Sequence, residues 1–177
     1  GFWNDMNEPA IFYSQKGMER FKAKAISVMQ NGTDEQLNGL GWAMGALKNS
    51  REDYRSIFHK VDGKTVCHDD VHNLYGYNMT RAAGEAFTRL RPKERILMFS
   101  RSSYTGMHRY GGLWTGDNQS WWSHLKMNLT MLPGLSMQGF LYSGADLGGF
   151  GSDCTEDLLM RWLGLGIFTP LMRNHSA

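Results

Sequence analysis

The stretch "MQGFLYSGADLGGFGSDCTEDLLMRWLGLGIFTPLMRNHS" (residues 137–176) reads as strand, helix, strand. Its first part, 137–146, is a short apolar run that ends on Asp146. Asp153, with Glu156 three residues on, has the spacing of a capping box, so a helix is expected from there to about Ile167. "TPLMRNHS" (169–176) is then a last short strand. Two strands joined through a helix lie parallel, because only a long crossover can return the chain to the same end of a sheet.

The alternation continues outward. "QSWWSHLKMNLTML" (119–132) has a helical pattern, with Pro133 and Gly134 expected to stop it. "GGLWTGDN" (111–118) is a very short strand entering a loop, and "RILMFS" (95–100) is a buried strand. From Val71 to Leu90 apolar residues recur at helical spacing, and Pro92 ends the run. Residues 1–6, "GFWNDM", read as the last part of a strand. Residues 10–68 are mixed, with "QNGTDEQLNGLG" (30–41) and "NSRED" (49–53) as breaks, and are expected to be an excursion after the first strand.

Repeated strand and helix means an α/β fold with a parallel sheet covered by helices. Every apolar run ends in polar groups: Asn4, Asp5 and Glu8; Arg101 and Ser102; Asp117 and Asn118; Asp146; Arg173, Asn174 and His175. A (β/α)8 barrel builds its site at the carboxyl ends of its strands. An open doubly wound sheet is the alternative, but it gathers ligand groups near one switch point. A full barrel needs eight strands and about 250 residues. The expected fold is therefore the C-terminal part of a TIM barrel, about five strands, incomplete, entered at a strand end.

Composition narrows the function. The 177 residues are 41% hydrophobic and 20% charged with a net charge of +2, which suits a globular domain and gives no reason to expect nucleic acid or a membrane surface as partner. No run of 18 apolar residues occurs. Cys67 and Cys154 have no CxxC partner and read as free thiols, which points to a reducing, cytoplasmic setting. The sequence says nothing of oligomeric state. N-x-S/T triplets begin at Asn31, Asn78, Asn118, Asn128 and Asn174; two of them fall where a glycan would block the chemistry described next, and these read as chance matches. There is no HExxH and no GxSxG. "GLGWAMG" (39–45) misses the dinucleotide fingerprint, so no cofactor is expected. His68, Asp69, Asp70 and His72 are expected to be a solvated helix start rather than a metal site, since Asp belongs near a helix N-terminus.

What remains is carboxylates beside aromatic residues at strand ends. Trp3 precedes Asp5, Trp114 precedes Asp117, and Phe150 follows Asp146. Sugar rings have apolar C–H faces and a rim of hydroxyls, so a sugar pocket wants aromatic walls with carboxylates and arginine around them. Glycoside hydrolysis needs two carboxyl groups, one to protonate the leaving oxygen and one to act as base or nucleophile. For one isolated Asp a cap or turn would explain it; four carboxylates, Asp5, Glu8, Asp117 and Asp146, across the five strand ends favour the site.

"WNDMNEP" (3–9), "SRSSYTGMHRYGGLWTGDN" (100–118), "GADLGGF" (144–150) and "RNHS" (173–176) together resemble glycoside hydrolase family 31, the α-glucosidase family. The resemblance implies a retaining α-glucosidase that releases terminal α-linked glucose from oligosaccharides. It implies Asp5 as nucleophile and Asp117 as general acid/base. It further implies Arg101, Asp146 and His175 as sugar-binding groups, and Trp3, Met6, Trp114 and Phe150 as the lining of the subsite for the cleaved sugar. Glu8, outside the reacting pair, reads as support, and His108 has no assigned role. In the family, further barrel strands and β-rich domains surround these motifs, so the chain is expected to be an internal fragment of the catalytic barrel, inactive and poorly stable alone. Three other readings stand beside this one. They are a non-catalytic carbohydrate- or partner-binding homologue, an α-transglucosylase using the same carboxylates, and a metal-dependent hydrolase built on Asp5, Glu8, His72 and His175.

Overall fold

A computed structural model describes residues 1–12, 14–45, 47 and 49–177. The chain forms two compact units, one of Gly1–Glu8 with Asn73–Ala177, the other of Pro9–His72. In chain order the elements begin with β1 (Phe2–Asn4), α1 (Gln15–Asn31), α2 (Asp34–Asn38), α3 (Leu40–Gly45) and α4 (Arg51–Tyr54). The hairpin strands β2 (Phe58–Val61) and β3 (Lys64–Cys67) follow, then α5 (His68–Leu90) and β4 (Met98–Ser100). A 3-10 turn (Met107–Arg109) leads into β5 (Gly112–Trp114), α6 (Trp122–Met137), β6 (Ser143–Leu147), α7 (Glu156–Gly166) and β7 (Leu171–Asn174). Among the described residues no helix is long and apolar enough to cross a membrane.

In the first unit five strands form one sheet in the order β1-β4-β5-β6-β7, every neighbouring pair parallel. Spatial order follows chain order without reversal, so there is no switch point of the kind a doubly wound sheet has. The sheet also curls. In a flat sheet, four steps of about 4.8 Å would hold β1 and β7 roughly 19 Å apart. Yet the Arg173 guanidinium of β7 lies 4.1 Å from the centre of the Trp3 ring of β1. This is an arc of a (β/α)8 barrel, five strands of eight.

All five residues of β6 are buried, as in a strand covered on both faces. Alternation sends Ala145 and Leu147 outward to pack with Leu125 of α6 and Leu158 and Trp162 of α7, while Asp146 takes the opposite, concave face. The register then sets Arg173 beside Asp146. A second core joins Met107, Leu113 and Phe140, with Tyr77 and Leu135 against it.

Several boundaries differ from the sequence reading. Helix α6 runs through Pro133 to Met137. Proline costs the bond to the carbonyl four residues back, but Leu132 and Leu135 on either side of it are held by burial. Residues 137–142 are not strand. Gln138 caps α6, Gly139 turns the chain at φ +93°, and Phe140 enters the core, its N–H bonded back to the Leu135 carbonyl. The N-cap of α7 is Thr155, not Asp153, with its hydroxyl accepting from the Leu158 N–H at 3.3 Å.

Among the described residues the second unit holds the long helix α1, the short helices α2, α3 and α4, an antiparallel hairpin and the first turn of α5. The expected breaks at 30–41 and 49–53 contain helix starts: Thr33 caps α2 in a reciprocal capping box with Gln36, and Ser50 caps α4. The hairpin turns on Asp62 and Gly63, both at positive φ, which is the type I′ pair that matches strand twist. The start of α5 is not simply solvated. His68 is buried, its Nδ1 2.9 Å from Nε2 of His59, and Asp69 accepts from Arg51 and Arg55.

Gly76 of α5 sits where a Cβ would come within 2.6 Å of the Ser102 Cβ and 2.8 Å of its carbonyl oxygen. Gly76→Ala should gain about 1 kcal/mol of helix propensity and lose about 1–3 kcal/mol to overpacking. We expect a net loss of stability in urea unfolding of the whole protein; a gain would mean that α5 does not press on the β4 loop.

Candidate active site

The site is assembled at the carboxyl ends of β1, β4, β5 and β6. Asp5 is the first residue after β1. Its Oδ1 accepts the Met6 N–H at 2.7 Å, and Met6 takes a left-handed φ of 56°. Such a backbone is uncommon for a residue with a Cβ and costs of order 1 kcal/mol. Asn7 then turns inward and is fully buried. Its Nδ2 donates to the Ser100 hydroxyl at 2.8 Å and its Oδ1 accepts the Ser102 N–H at 3.0 Å. The Arg101 N–H donates to the Asn4 carbonyl at 3.0 Å, and Asn4 donates from Nδ2 to the Thr80 hydroxyl at 3.3 Å. These bonds lock the loop after β1 to the loop after β4.

Arg101 is what the lock positions. It donates from Nε and Nη2 to the two carboxylate oxygens of Glu8 at 2.9 and 3.2 Å, a forked pair. Its remaining nitrogen, Nη1, lies 3.1 Å from Asp5 Oδ1 and 3.6 Å from Asp117 Oδ1. The hydrogen bond to Glu8 raises the guanidinium's already high pKa against the opposing effect of burial, with Asp5 and Asp117 adding to the rise. Arg101 is four-fifths covered, while the Asp5 and Asp117 side chains are half exposed, open to a ligand.

Asp117 lies in the loop after β5, between Gly116 at φ +75° and buried Asn118. Thr115, Asn118 and Asn128 bond one another beneath it. The Asn118 carbonyl also accepts the N–H groups of Phe150 and Gly151 at 2.7 and 3.0 Å, which fastens the β6 loop to the β5 loop.

The concave face holds Trp3, Phe99 and Trp114, with Trp3 4.3 Å from Trp114 and 5.2 Å from Phe99 between ring centres. Arg173 stacks on Trp3 and pairs with Asp146. Asp146 is 1% exposed, and burial raises its pKa against the pull of Arg173. His175 faces the Phe150 ring at 5.4 Å. Of the residues singled out in the sequence, Asp5, Arg101 and Asp117 therefore meet directly, Trp3 and Trp114 form one wall, and Phe150 with His175 forms another piece tied to the Asp117 loop. Met6 is exposed beside Asp5, and Asp146 is a buried partner of Arg173 rather than an open carboxylate. His108 packs edge-on to Phe140.

Sequence reasoning missed the amide supports Asn7, Asn118 and Asn128, and the part of Arg173. Asn7 lay within a quoted motif, and only its burial separates it from its neighbours. Among the described residues no group of three or more His, Cys, Asp or Glu side chains is placed to hold a metal ion. The arrangement offers two accessible carboxylates on one fixed cation, beside stacked aromatic rings.

The chain is similar to known proteins along its whole length. The family profile described as "Glycosyl hydrolases family 31 TIM-barrel domain" matches residues 1–177. Alpha-glucosidase 2 of Bacillus thermoamyloliquefaciens is 33% identical over all of this chain, which covers 18% of that protein. The structure of the ER glucosidase II heterodimeric complex superposes with a TM-score of 0.64 at 31% identity, over 98% of this chain and 15% of that one. The family 31 alpha-glucosidase from Bacteroides thetaiotaomicron superposes at 0.59 with 38% identity, over 70% of this chain and 21% of that one. The chain spans less than a quarter of the length of such relatives.

Asn7→Ala should strip two bonds from the lock and leave buried partners unmatched. A loss of about 1–3 kcal/mol is expected, with faster hydrogen exchange at the Ser102 amide. Unchanged stability and exchange would show that Asn7 does not hold these loops together.

Proposed function

The chain belongs to glycosyl hydrolase family 31, and on that premise we propose that it carries the reacting carboxylates of a retaining α-glucosidase. The observation that carries the reading is the shared guanidinium. Asp5 and Asp117 each approach Nη1 of Arg101, so their Oδ1 atoms lie no farther apart than those two contacts laid end to end, about 6.7 Å. Retaining glycosidases hold their two carboxyl groups about 5–5.5 Å apart, and inverting ones leave room for a water at about 6.5–9.5 Å. The bound favours the closer spacing.

In this reading Asp5 attacks the anomeric carbon of a terminal α-linked glucose. Asp117 gives its proton to the departing glycosidic oxygen as that bond breaks. The glucosyl ester on Asp5 is then attacked by water, whose proton returns to Asp117, and glucose leaves with its α configuration kept. Arg101 sets a fixed positive charge against Asp5, the group that must begin ionised. Trp3 and Trp114 offer apolar faces to the sugar ring, and the Phe150–His175 piece would close the pocket from the Asp117 side. The relatives' names, alpha-glucosidase among them, support the choice of substrate. With five strands of eight, the 177-residue stretch by itself is expected to release little glucose.

The test uses the whole enzyme. Asp5→Ala and Asp117→Ala should each lower kcat/KM by at least about a hundredfold, the scale of positioned acid–base and nucleophilic groups. Azide should rescue Asp117→Ala with formation of the α-glucosyl azide, because it attacks the ester on Asp5. Any azide product of Asp5→Ala should be β, from direct attack. Near-normal activity in either variant, or a β azide from Asp117→Ala, would overturn the assignment.

A further inference from the structure

Beneath Asp117 three side chains close a ring of hydrogen bonds. The Thr115 hydroxyl donates to Asn128 Oδ1 at 2.9 Å, Asn128 Nδ2 donates to Asn118 Oδ1 at 3.0 Å, and Asn118 Nδ2 donates back to the Thr115 hydroxyl at 2.8 Å. Each group both gives and accepts, so the three bonds run in one direction and polarise one another. Asn128 is fully buried and Asn118 nearly so. The second Asn128 N–H is spent on the His124 carbonyl at 2.9 Å, inside its own helix. Asn128 thus has every polar atom engaged and one rigid anchor, α6.

Thr115 and Asn118 flank Gly116 and Asp117. Gly116, at φ +75°, has backbone freedom that few other residues have, and the ring adds side-chain ties to the backbone bonds from Thr115 to Gly144 and from Asn118 to Gly116. The same Asn118 carries the N–H groups of Phe150 and Gly151 on its carbonyl. We infer that Asn128 is a positioning residue for Asp117: it touches no substrate, but through Thr115 and Asn118 it aims the Asp117 carboxyl and sets Phe150 in register with it. The inference rests on the reading of Asp117 as proton donor. It goes beyond that reading by assigning the aim of the donor to an amide on α6.

The consequence is specific to proton donation. A glycoside whose leaving group is an alcohol needs the proton from Asp117, whereas fluoride leaves without one. In the whole enzyme, Asn128→Ala and Thr115→Val should each lower kcat/KM on an α-linked glucose disaccharide by about tenfold to a hundredfold, the cost of a misplaced group, while kcat/KM on α-glucosyl fluoride, which reports only the first displacement, changes by less than about threefold. The double variant should lose no more than the worse single one, since the ring breaks once. Thr115→Ser restores the hydroxyl and should recover most of the loss. If Asn128→Ala does not fold, the Thr115 pair decides. Equal loss on both substrates would make the ring a general structural support, and no loss on either would make it inert; both overturn the inference. Asp117→Ala run alongside separates the two levels. If it shows no split between the substrates, the reading of Asp117 itself fails. If it splits and the ring variants do not, only the inference fails.

Discussion

One guanidinium organises the end of this barrel. Arg101 faces three carboxylates from two other strand ends, Glu8 on two nitrogens and Asp5 and Asp117 on the third. Without it, three negative groups would crowd a partly enclosed space and repel one another. With it, Glu8 fixes the plane of the guanidinium, and the free edge is left to bring two half-exposed carboxylates together. The division follows from geometry. A forked pair takes two of the donors in a set orientation, so only one nitrogen remains to be shared. Glu8 is thereby held in the fork, and Asp5 and Asp117 are the two carboxylates that stay open.

The sheet that carries this cation is curved. In a flat sheet β1 and β7 would stay four strand spacings apart, whereas here they turn toward one another until Arg173 stacks on Trp3. Leu125, Leu147, Leu158 and Trp162 lock α6 and α7 against β6, and the strand's alternation then leaves Asp146 on the concave side. Asp146 is buried there and pairs with Arg173, which lies over the tryptophan, at the cost of carrying a carboxyl out of water.

Buried amides tie the loops to one another. Asn7 spans to Ser100 and Ser102, and Asn128 spans to Thr115 and Asn118. A buried amide is costly when unpaired and directional when paired, so each one specifies a single loop geometry. Hydrophobic packing could hold the same loops but would not set the angle of a carboxylate to within a bond's tolerance. The loops that carry Asp5 and Asp117 therefore stand on paired polar groups.

Much of this could be read from the chain alone. Strand and helix alternate at local periods of two and 3.6 residues, and polar groups follow each strand directly, so the parallel sheet and the side-chain types at its carboxyl edge were legible. The four motifs also carried the family, and they contain Asp5, Asp117 and Arg101, which the structure brings together. Misreadings fell where burial overrode local propensity. They include Pro133 inside α6, Phe140 in the core rather than in a strand, and His68 buried where a solvated helix start was expected. What only the tertiary structure decided is which groups meet. Arg101 is 93 residues from Glu8, and no pattern of neighbours says that they fork together, that Asp146 is closed by Arg173, or that Asn128 underlies Asp117. Those distances depend on the curl and register of the whole sheet, a sum of contacts between residues far apart in sequence, whereas a strand's alternation depends only on the residues beside it.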